Sequence, residues 1–260
     1  MIDIQSLIMI VALFAIAVVP GLGISYWIYH QDKYEKEPYL ILLACFVWGF
    51  ISTIPAVLGQ MYFRDTEDPH SLLTTFLFSF FVIALTEELS KFLFLRLYAY
   101  PKDAFNEPMD GIVYAVMVGM GFATLENILY TFGENGGIAT AIGRAFTAVP
   151  AHGAFAVMMG AYVGLAKFFP EKRDQYMLTS IALPVFFHGL YDFFLLQKSY
   201  EGMAILSIIS LSFAITLSRK LIRINQENSP FKVNQNMDEN DDNIAQDTEN
   251  EDIKNDDINQ

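Results

Sequence analysis

Seven apolar blocks, each long enough to cross a lipid bilayer, constrain the fold of this 260-residue chain more than any other feature. They lie at about 7–28, 39–63, 72–98, 111–132, 141–167, 176–197 and 202–222. About 20 helical residues cross roughly 30 Å of hydrocarbon at 1.5 Å per residue. The first block lacks the basic start of a signal peptide, so we expect a retained span. The sequence therefore predicts an all-α integral membrane protein, a polytopic bundle of about seven transmembrane helices.

Charge divides the chain into two unequal parts. Residues 226–260 hold eleven acidic residues and two lysines, and so carry −9 of the formal net charge of −13. A segment of this composition cannot bury enough apolar surface to fold. We therefore expect a membrane-embedded bundle over residues 1–225 and an acidic, disordered cytoplasmic tail over residues 226–260. The acidity says little about a substrate, and we expect no nucleic-acid partner.

The distribution of basic residues predicts the orientation, because cytoplasmic loops of membrane proteins carry an excess of Lys and Arg. With the N-terminus outside, ten basic residues fall on the cytoplasmic side: Lys33, Lys36, Arg96, Lys102, Lys167, Lys172, Arg173, Arg219, Lys220 and Arg223. Only Arg64, Arg144 and Lys198 fall outside, and we interpret Arg144 as an anchor at the outer interface. We therefore predict a multi-pass protein of the cell membrane with an outer N-terminus and a cytoplasmic C-terminal tail.

Three ionisable residues, Glu87, Glu88 and Lys91, interrupt the third apolar block. An Asp, Lys or Arg at the centre of a membrane helix costs about 2.5–3.5 kcal/mol, so an ionisable side chain there normally faces the bundle interior and has a partner. Lys91 lies four residues after Glu87 and three after Glu88, so its ammonium can reach either carboxylate. The spacing predicts that Lys91 neutralises one glutamate and leaves the other free or protonated.

Polar residues in three further blocks share faces with small residues. Glu126 and Asn127 follow a strip of Gly and Ala at intervals of four, and His152 lies within such a strip in the fifth block. Because membrane helices approach closely along small residues, these three side chains are predicted to point into the bundle. In the sixth block Asp192 lies four residues after His188, where it can hydrogen-bond one imidazole nitrogen and fix the tautomer.

Each polar group taken alone has a structural explanation. Lys91 with one glutamate could join helices, and His188 with Asp192 could be a satisfied polar pair. Three glutamates, two histidines and an aspartate in four blocks nevertheless exceed what packing requires, since each is expensive in lipid. Their convergence favours a chemical site.

At these residues the sequence resembles the PrsW family of intramembrane proteases, which are related more remotely to the CAAX-processing and bacteriocin-immunity membrane proteases. The motifs are Glu87-Glu88-Leu89-Ser90-Lys91 (E-E-x-x-K), Phe122-Ala123-Thr124-Leu125-Glu126-Asn127 (F-x-x-x-E-N), the stretch around His152, and His188-Gly189-Leu190-Tyr191-Asp192 (H-x-x-x-D). They cover about residues 80–195. The resemblance implies cleavage of a peptide bond in a membrane-tethered protein, in the best-known family function an anti-sigma factor cut to begin a stress response.

The predicted mechanism combines a glutamate with a histidine, because peptide hydrolysis needs an activated water and a group that stabilises the oxyanion. We predict Glu87 as the base on water, with Glu88 paired to Lys91. His188, oriented by Asp192, would polarise the scissile carbonyl or donate to the leaving nitrogen, with His152 as a second donor. The predicted catalytic residues are Glu87, Glu88, His152 and His188, supported by Lys91, Glu126, Asn127 and Asp192.

A metal-dependent mechanism uses the same residue types. His152, His188 and either Glu88 or Glu126 form a plausible His₂Glu zinc site with a fourth position for water. The sequence contains no H-E-x-x-H motif. We therefore predict no cofactor firmly and keep zinc as the alternative.

Two other functional classes stay open at this point. Glu, His and Asp on inner helix faces also build proton relays, so a proton-coupled transporter is an alternative, although the chain shows no obvious pair of similar halves. A noncatalytic membrane chaperone is another. A cysteine protease is disfavoured because Cys45, the only cysteine, lies in an apolar run. The predicted partners are the lipid bilayer and a membrane-anchored protein substrate.

Overall fold

A computed structural model describes residues 3–66, 68–200 and 202–232, which are helical and contain no β-strand. Seven of the helices are long and apolar enough to cross a membrane, and we number them as spans in chain order. They are Ile4–Gln31, Tyr39–Phe63, Leu72–Ala99, Pro108–Phe132, Ile138–Phe168, Pro170–Leu196 and Ala204–Glu227. The prediction of an all-α bundle of about seven transmembrane helices is confirmed.

Some helices extend well past the apolar blocks. The sixth span begins at Pro170 rather than near residue 176, and the seventh ends at Glu227 rather than near residue 222. Hydropathy marks only the part of a helix that lies in hydrocarbon, whereas backbone hydrogen bonding continues beyond it. The last two residues of the seventh span therefore fall in the segment predicted as tail. Residues 233–260 of that predicted tail lie outside the described residues.

The fourth and fifth spans form the centre of the bundle. In their most apolar stretches 78% and 89% of the residues are buried, against 11% in the first span. The first span also has the highest mean hydropathy, 2.8 against 1.6 and 1.4 for the two central spans. Lipid tails are as apolar as leucine, so the most hydrophobic helix can face them, whereas central helices depend on close packing with each other.

Small residues bring the two central spans into backbone contact. Gly111 and Gly160 face each other so closely that a Cβ on Gly160 would overlap the Gly111 carbonyl oxygen. Further along the same interface, a Cβ on Gly119 would lie only 2.7 Å from the Cβ of Ala156. The predicted small-residue strips therefore form the interface between the spans that carry Glu126 and His152.

The third span changes helical type along its length. The α-helical stretches Leu72–Leu77 and Leu85–Phe94 alternate with π-helical stretches at Phe78–Ala84 and Leu95–Ala99. π-Helical turns are rare and are found frequently at functional sites. Here they flank the stretch that contains Glu87.

The fifth span is a pair of helices, Ile138–Phe146 and Ala148–Phe168. They meet at Thr147, whose φ of −122° and ψ of −70° are not helical. Arg144 belongs to the short first helix and His152 to the long second one. Because of the break at Thr147, Arg144 and His152 do not share one continuous helix, and helical spacing does not fix the direction of one side chain relative to the other.

Candidate active site

Lys91 joins the two adjacent glutamates of the third span. The side chains of Glu87, Glu88 and Lys91 are each at most 3% exposed. Lys91 Nζ lies 2.8 Å from Glu88 Oε1 and 3.4 Å from Glu87 Oε2, as the three- and four-residue spacings allow. The predicted pairing of Lys91 with Glu88 is present, and Glu87 is the less tightly held of the two carboxylates.

Glu87 also contacts two other spans. Gln60 Nε2 in the second span donates to Glu87 Oε1 at 2.8 Å, and His188 Nε2 in the sixth span lies 3.8 Å from Glu87 Oε2. Gln60 was not among the predicted site residues. Its side-chain amide lies near the end of the second apolar block, where a polar group needs a hydrogen-bond partner, and this position could have indicated it.

His188 is held between two carboxylates. Its Nδ1 lies 2.8 Å from Glu88 Oε1, and its Nε2 lies 3.2 Å from Asp192 Oδ2. The predicted contact between Asp192 and His188 is therefore present. Phe155 stacks on the imidazole, with ring centroids 4.9 Å apart. Both ring nitrogens face acceptors, an arrangement that a doubly protonated imidazole satisfies.

His152 connects the third span to the fourth. Lys91 Nζ lies 3.1 Å from His152 Nδ1, and His152 Nε2 lies 2.8 Å from Glu126 Oε2. Because an ammonium can only donate, Nδ1 accepts from Lys91 and the Nε2–H donates to Glu126. The contact assigns the tautomer of His152 and occupies both of its nitrogens.

Arg144 points into the bundle, so its interpretation as an interface anchor is wrong. Arg144 Nη2 donates to Glu126 Oε2 at 2.7 Å, and Nε donates to Asn127 Oδ1 at 3.2 Å. Asn127 Nδ2 in turn donates to the Ala17 carbonyl oxygen of the first span at 3.0 Å. A carboxylate as deep as Glu126 needs a cationic partner, and that need was the signal for Arg144.

The structure brings all eight predicted site residues into one set of polar contacts. We call this set the polar network; its members are Gln60, Glu87, Glu88, Lys91, Glu126, Asn127, Arg144, His152, His188 and Asp192. Two of these residues, Gln60 and Arg144, were not predicted as part of the site.

Two cavities adjoin the polar network. The larger, about 420 Å³, lies against Gln60 and extends to Asn135, and the smaller, about 120 Å³, lies against His188. Glu87 and Glu126 border both cavities, whereas Glu88 borders neither. Each cavity has polar side chains in its wall and room for water. The two glutamates of the adjacent pair therefore differ in their access to water.

Comparison with known proteins identifies the family. The sequence model described as PrsW family intramembrane metalloprotease matches residues 37–217. The chain belongs to the PrsW family. It is 39% identical to "Protease PrsW" of Geobacillus kaustophilus (strain HTA426) over 201 residues, which cover 76% of this chain and 87% of that protein. Identity to "Protease PrsW" of Bacillus subtilis (strain 168) is 36% over 189 residues, covering 72% and 84% of the two chains. No solved structure matches the chain significantly.

Membership of the PrsW family decides between the functional classes that the residues alone left open. The chain is an intramembrane protease with seven membrane-spanning helices. The matched region begins at residue 37 and ends at residue 217, so it includes the whole polar network. The transporter and chaperone alternatives are therefore set aside.

The polar network of this PrsW family member has donors that fit a metal ion. Glu87, Glu88, His152 and His188 each carry a ligand atom, and these atoms lie within 4.8 Å of one another. A bound metal ion would replace one of the present contacts of each histidine. Imidazole nitrogens with carboxylate oxygens suit zinc. Glu88 Oε2 is buried and has no hydrogen-bond partner among the described residues. The group contains Glu87 where the predicted alternative had Glu126, which instead pairs with Arg144 and His152.

Proposed function

We propose that the chain is an endopeptidase in which Glu87 activates the attacking water. The observation that carries this proposal is that Glu87 borders both cavities, while Glu88 borders neither and is held by Lys91 and His188. A general base must lie within hydrogen-bond reach of the water from which it takes a proton. Glu87 meets that condition, and Glu88 serves to hold Lys91 and His188 in place.

The proposed reaction is hydrolysis through a tetrahedral intermediate. Glu87 takes a proton from water as the water oxygen bonds to the scissile carbonyl carbon. The carbon–nitrogen bond then breaks, and the proton passes to the leaving nitrogen from Glu87 or from His188, whose Nε2 lies 3.8 Å from Glu87 Oε2. Asp192 keeps His188 oriented through its 3.2 Å contact. His152 keeps Lys91 and Glu126 in position through one hydrogen bond to each.

The proposed substrate is a membrane-tethered protein, of the anti-sigma-factor type that the family resemblance implies. The larger cavity runs from Gln60 and Glu87 to Asn135, in the loop between the fourth and fifth spans. A peptide that reaches Glu87 through this cavity enters from the loop end of the bundle. The scissile bond is therefore expected to reach Glu87, mid-way along the third span, from the membrane face on which the N-terminus is located.

Glu87→Gln tests the proposal, because it removes the proton acceptor and keeps the shape of the side chain. We expect cleavage to fall by about 10²–10⁴-fold, the contribution typical of general-base catalysis. The measurement compares new protein termini, by quantitative mass spectrometry, in membranes of cells that produce wild type, Glu87→Gln or the matched control Glu35→Gln. Glu35 is exposed in a loop. Unchanged termini with Glu87→Gln would remove Glu87 from the catalytic role.

A metal-dependent form of the same reaction is the second candidate, favoured by the donor group Glu87, Glu88, His152 and His188. A zinc ion bound there would polarise the scissile carbonyl and lower the pKa of bound water. Metal content and chelator sensitivity of the purified protein separate the candidates. Stoichiometric metal that is lost in both His152→Ala and His188→Ala would favour the metal-dependent form, and full activity in chelator would rule it out.

The proposed orientation places the N-terminus outside and the acidic tail in the cytoplasm. Arg144 pairs with Glu126 inside the bundle, so it no longer counts as a loop charge. Ten basic residues then lie on the cytoplasmic side and two, Arg64 and Lys198, outside. External protease added to intact cells should leave the tail after Asn234 uncut. Removal of the tail under those conditions would reverse the orientation.

A further inference from the structure

Four acidic residues meet at the other end of the fourth span from the polar network. Asp32 and Glu37 lie between the first two spans, and Glu107 and Asp110 lie at the start of the fourth span. We call them the acidic cluster. Their exposed fractions are 0% for Asp32, Glu107 and Asp110 and 3% for Glu37. Sixteen helical residues, about 24 Å, separate Asp110 from Glu126.

Most carboxylate oxygens of the acidic cluster have no partner among the described residues. Both side-chain oxygens of Asp32 and of Glu107, one of Asp110 and one of Glu37 are buried without a hydrogen bond. Within the described ranges, Asp110 Oδ2 is the oxygen of the cluster that accepts hydrogen bonds, from the Glu107 amide at 2.8 Å and from a neighbouring amide. The nearby Lys36 ammonium donates instead to the backbone carbonyl oxygens of Tyr29 and Asp32.

Buried carboxylates without donors are costly, because neither water nor a side chain replaces their hydration. Within the described part of the chain, no lysine or arginine forms an ion pair with a carboxylate of the acidic cluster, and the nearby Lys36 ammonium is used by backbone carbonyl oxygens.

The geometry points to a cation as that missing charge. Asp32, Glu107 and Asp110 each offer an oxygen, and the three atoms lie within 4.8 Å of one another. Oxygens bound to one Ca²⁺ or Mg²⁺ at about 2.0–2.6 Å lie no further apart than about 5 Å. The adjacent Asn106 carries another buried oxygen without a partner.

We propose that Asp32, Glu107 and Asp110 bind one hard divalent cation, Ca²⁺ or Mg²⁺. All-oxygen carboxylate sites select such ions over zinc, in contrast to the histidine-containing donor group of the polar network. The ion ties the loop between the first two spans to the start of the fourth span. This site is separate from the proposed active site and does not depend on its mechanism.

Thermal unfolding of the purified full-length protein in detergent tests the proposal. After treatment with chelator, the wild type is titrated with Ca²⁺ in one arm and Mg²⁺ in the other. A cation present at about 100 times its Kd should raise the unfolding midpoint by about 5–10 °C. Asp32→Asn and Glu107→Gln should lose this rise. The matched controls Glu35→Gln and Asp103→Asn change exposed acids in the same two loops and should keep it.

Three outcomes would overturn the proposal. One is a wild type that neither cation stabilises. Another is an undiminished rise in Asp32→Asn, Glu107→Gln and His152→Ala alike. The third is a rise that survives in both variants and disappears in His152→Ala, which would place the ion in the polar network. If the cluster variants do not fold, equilibrium dialysis of the wild type with Ca²⁺ decides: we expect one bound ion per chain, and no bound ion would contradict the site.

Discussion

The polar network and the acidic cluster both contain buried carboxylates, yet they differ in what surrounds those carboxylates. In the polar network Glu88 meets Lys91 and His188, and Glu126 meets Arg144. In the acidic cluster the oxygens of Asp32 have neither ion pairs nor hydrogen bonds within the described residues. Burial of acids alone therefore does not identify an active site. The partners distinguish a network whose acids pair with basic side chains beside cavities from a group of carboxylates for which we propose an external cation.

Neutralising one carboxylate should have opposite effects on stability in the two regions. Glu88→Gln leaves Lys91 without its nearest counter-charge, and we expect a loss of about 3–5 kcal/mol in the free energy of unfolding. Asp32→Asn relieves repulsion in the acidic cluster, so in chelator its unfolding midpoint should lie above that of the wild type. The measurement is thermal unfolding of both variants in detergent with chelator. A loss of stability in both variants would show that the carboxylates of the two regions do not differ in this way.

Gly160→Ala should disturb both regions, because the fourth span carries Asp110 at one end and Glu126 towards the other. The new Cβ would overlap the Gly111 carbonyl oxygen and force the central spans apart. We expect a loss of about 1–3 kcal/mol in stability, lower cleavage and a smaller cation-dependent rise. Gly143→Ala is the matched control, since a Cβ there meets nothing within 4 Å. Loss of cleavage alone would show that the two regions do not share this support.

Arg144→Lys should affect the polar network and leave the acidic cluster unchanged. Lysine keeps the charge but cannot donate to Glu126 and Asn127 in the planar geometry of the guanidinium. We expect a fall of about tenfold in cleavage, measured by the same comparison of protein termini. The cation-dependent rise should match the wild type. Full cleavage with Arg144→Lys would show that a positive charge at this position is sufficient and that the geometry of the guanidinium is not needed.

Deletion of residues 234–260 should have the smallest effect on either region. The deleted segment contains no member of the polar network or the acidic cluster. We expect unchanged cleavage and an unchanged cation-dependent rise in the truncated protein purified in detergent. Loss of turnover in a truncation that still unfolds at the wild-type midpoint would show that the tail contributes to the reaction.

The features that the sequence predicted correctly are those set by hydropathy or by residue spacing within one helix. Seven spans follow from hydropathy, and the contacts Lys91–Glu88 and His188–Asp192 follow from separations of three and four residues. Contacts between helices, such as Gln60 with Glu87, depend on packing that no single segment encodes. The acidic cluster was missed for a related reason: acids beside apolar blocks resemble solvated loop residues until the fold buries them together.

The break at Thr147 places the amino end of a 21-residue helix part-way along the fifth span. The first amides of a helix lack intrahelical acceptors, and the aligned peptide dipoles give that end about half a positive charge. Ala148 and Ala151, in the first turn, border the smaller cavity together with Glu87. Pro150 has no N–H and the Ala151 amide donates to the Thr147 carbonyl oxygen, so the amides left at this end are those of Ala148 and Val149. Negative charge that develops on a carbonyl oxygen in this cavity would meet the positive potential of this helix end.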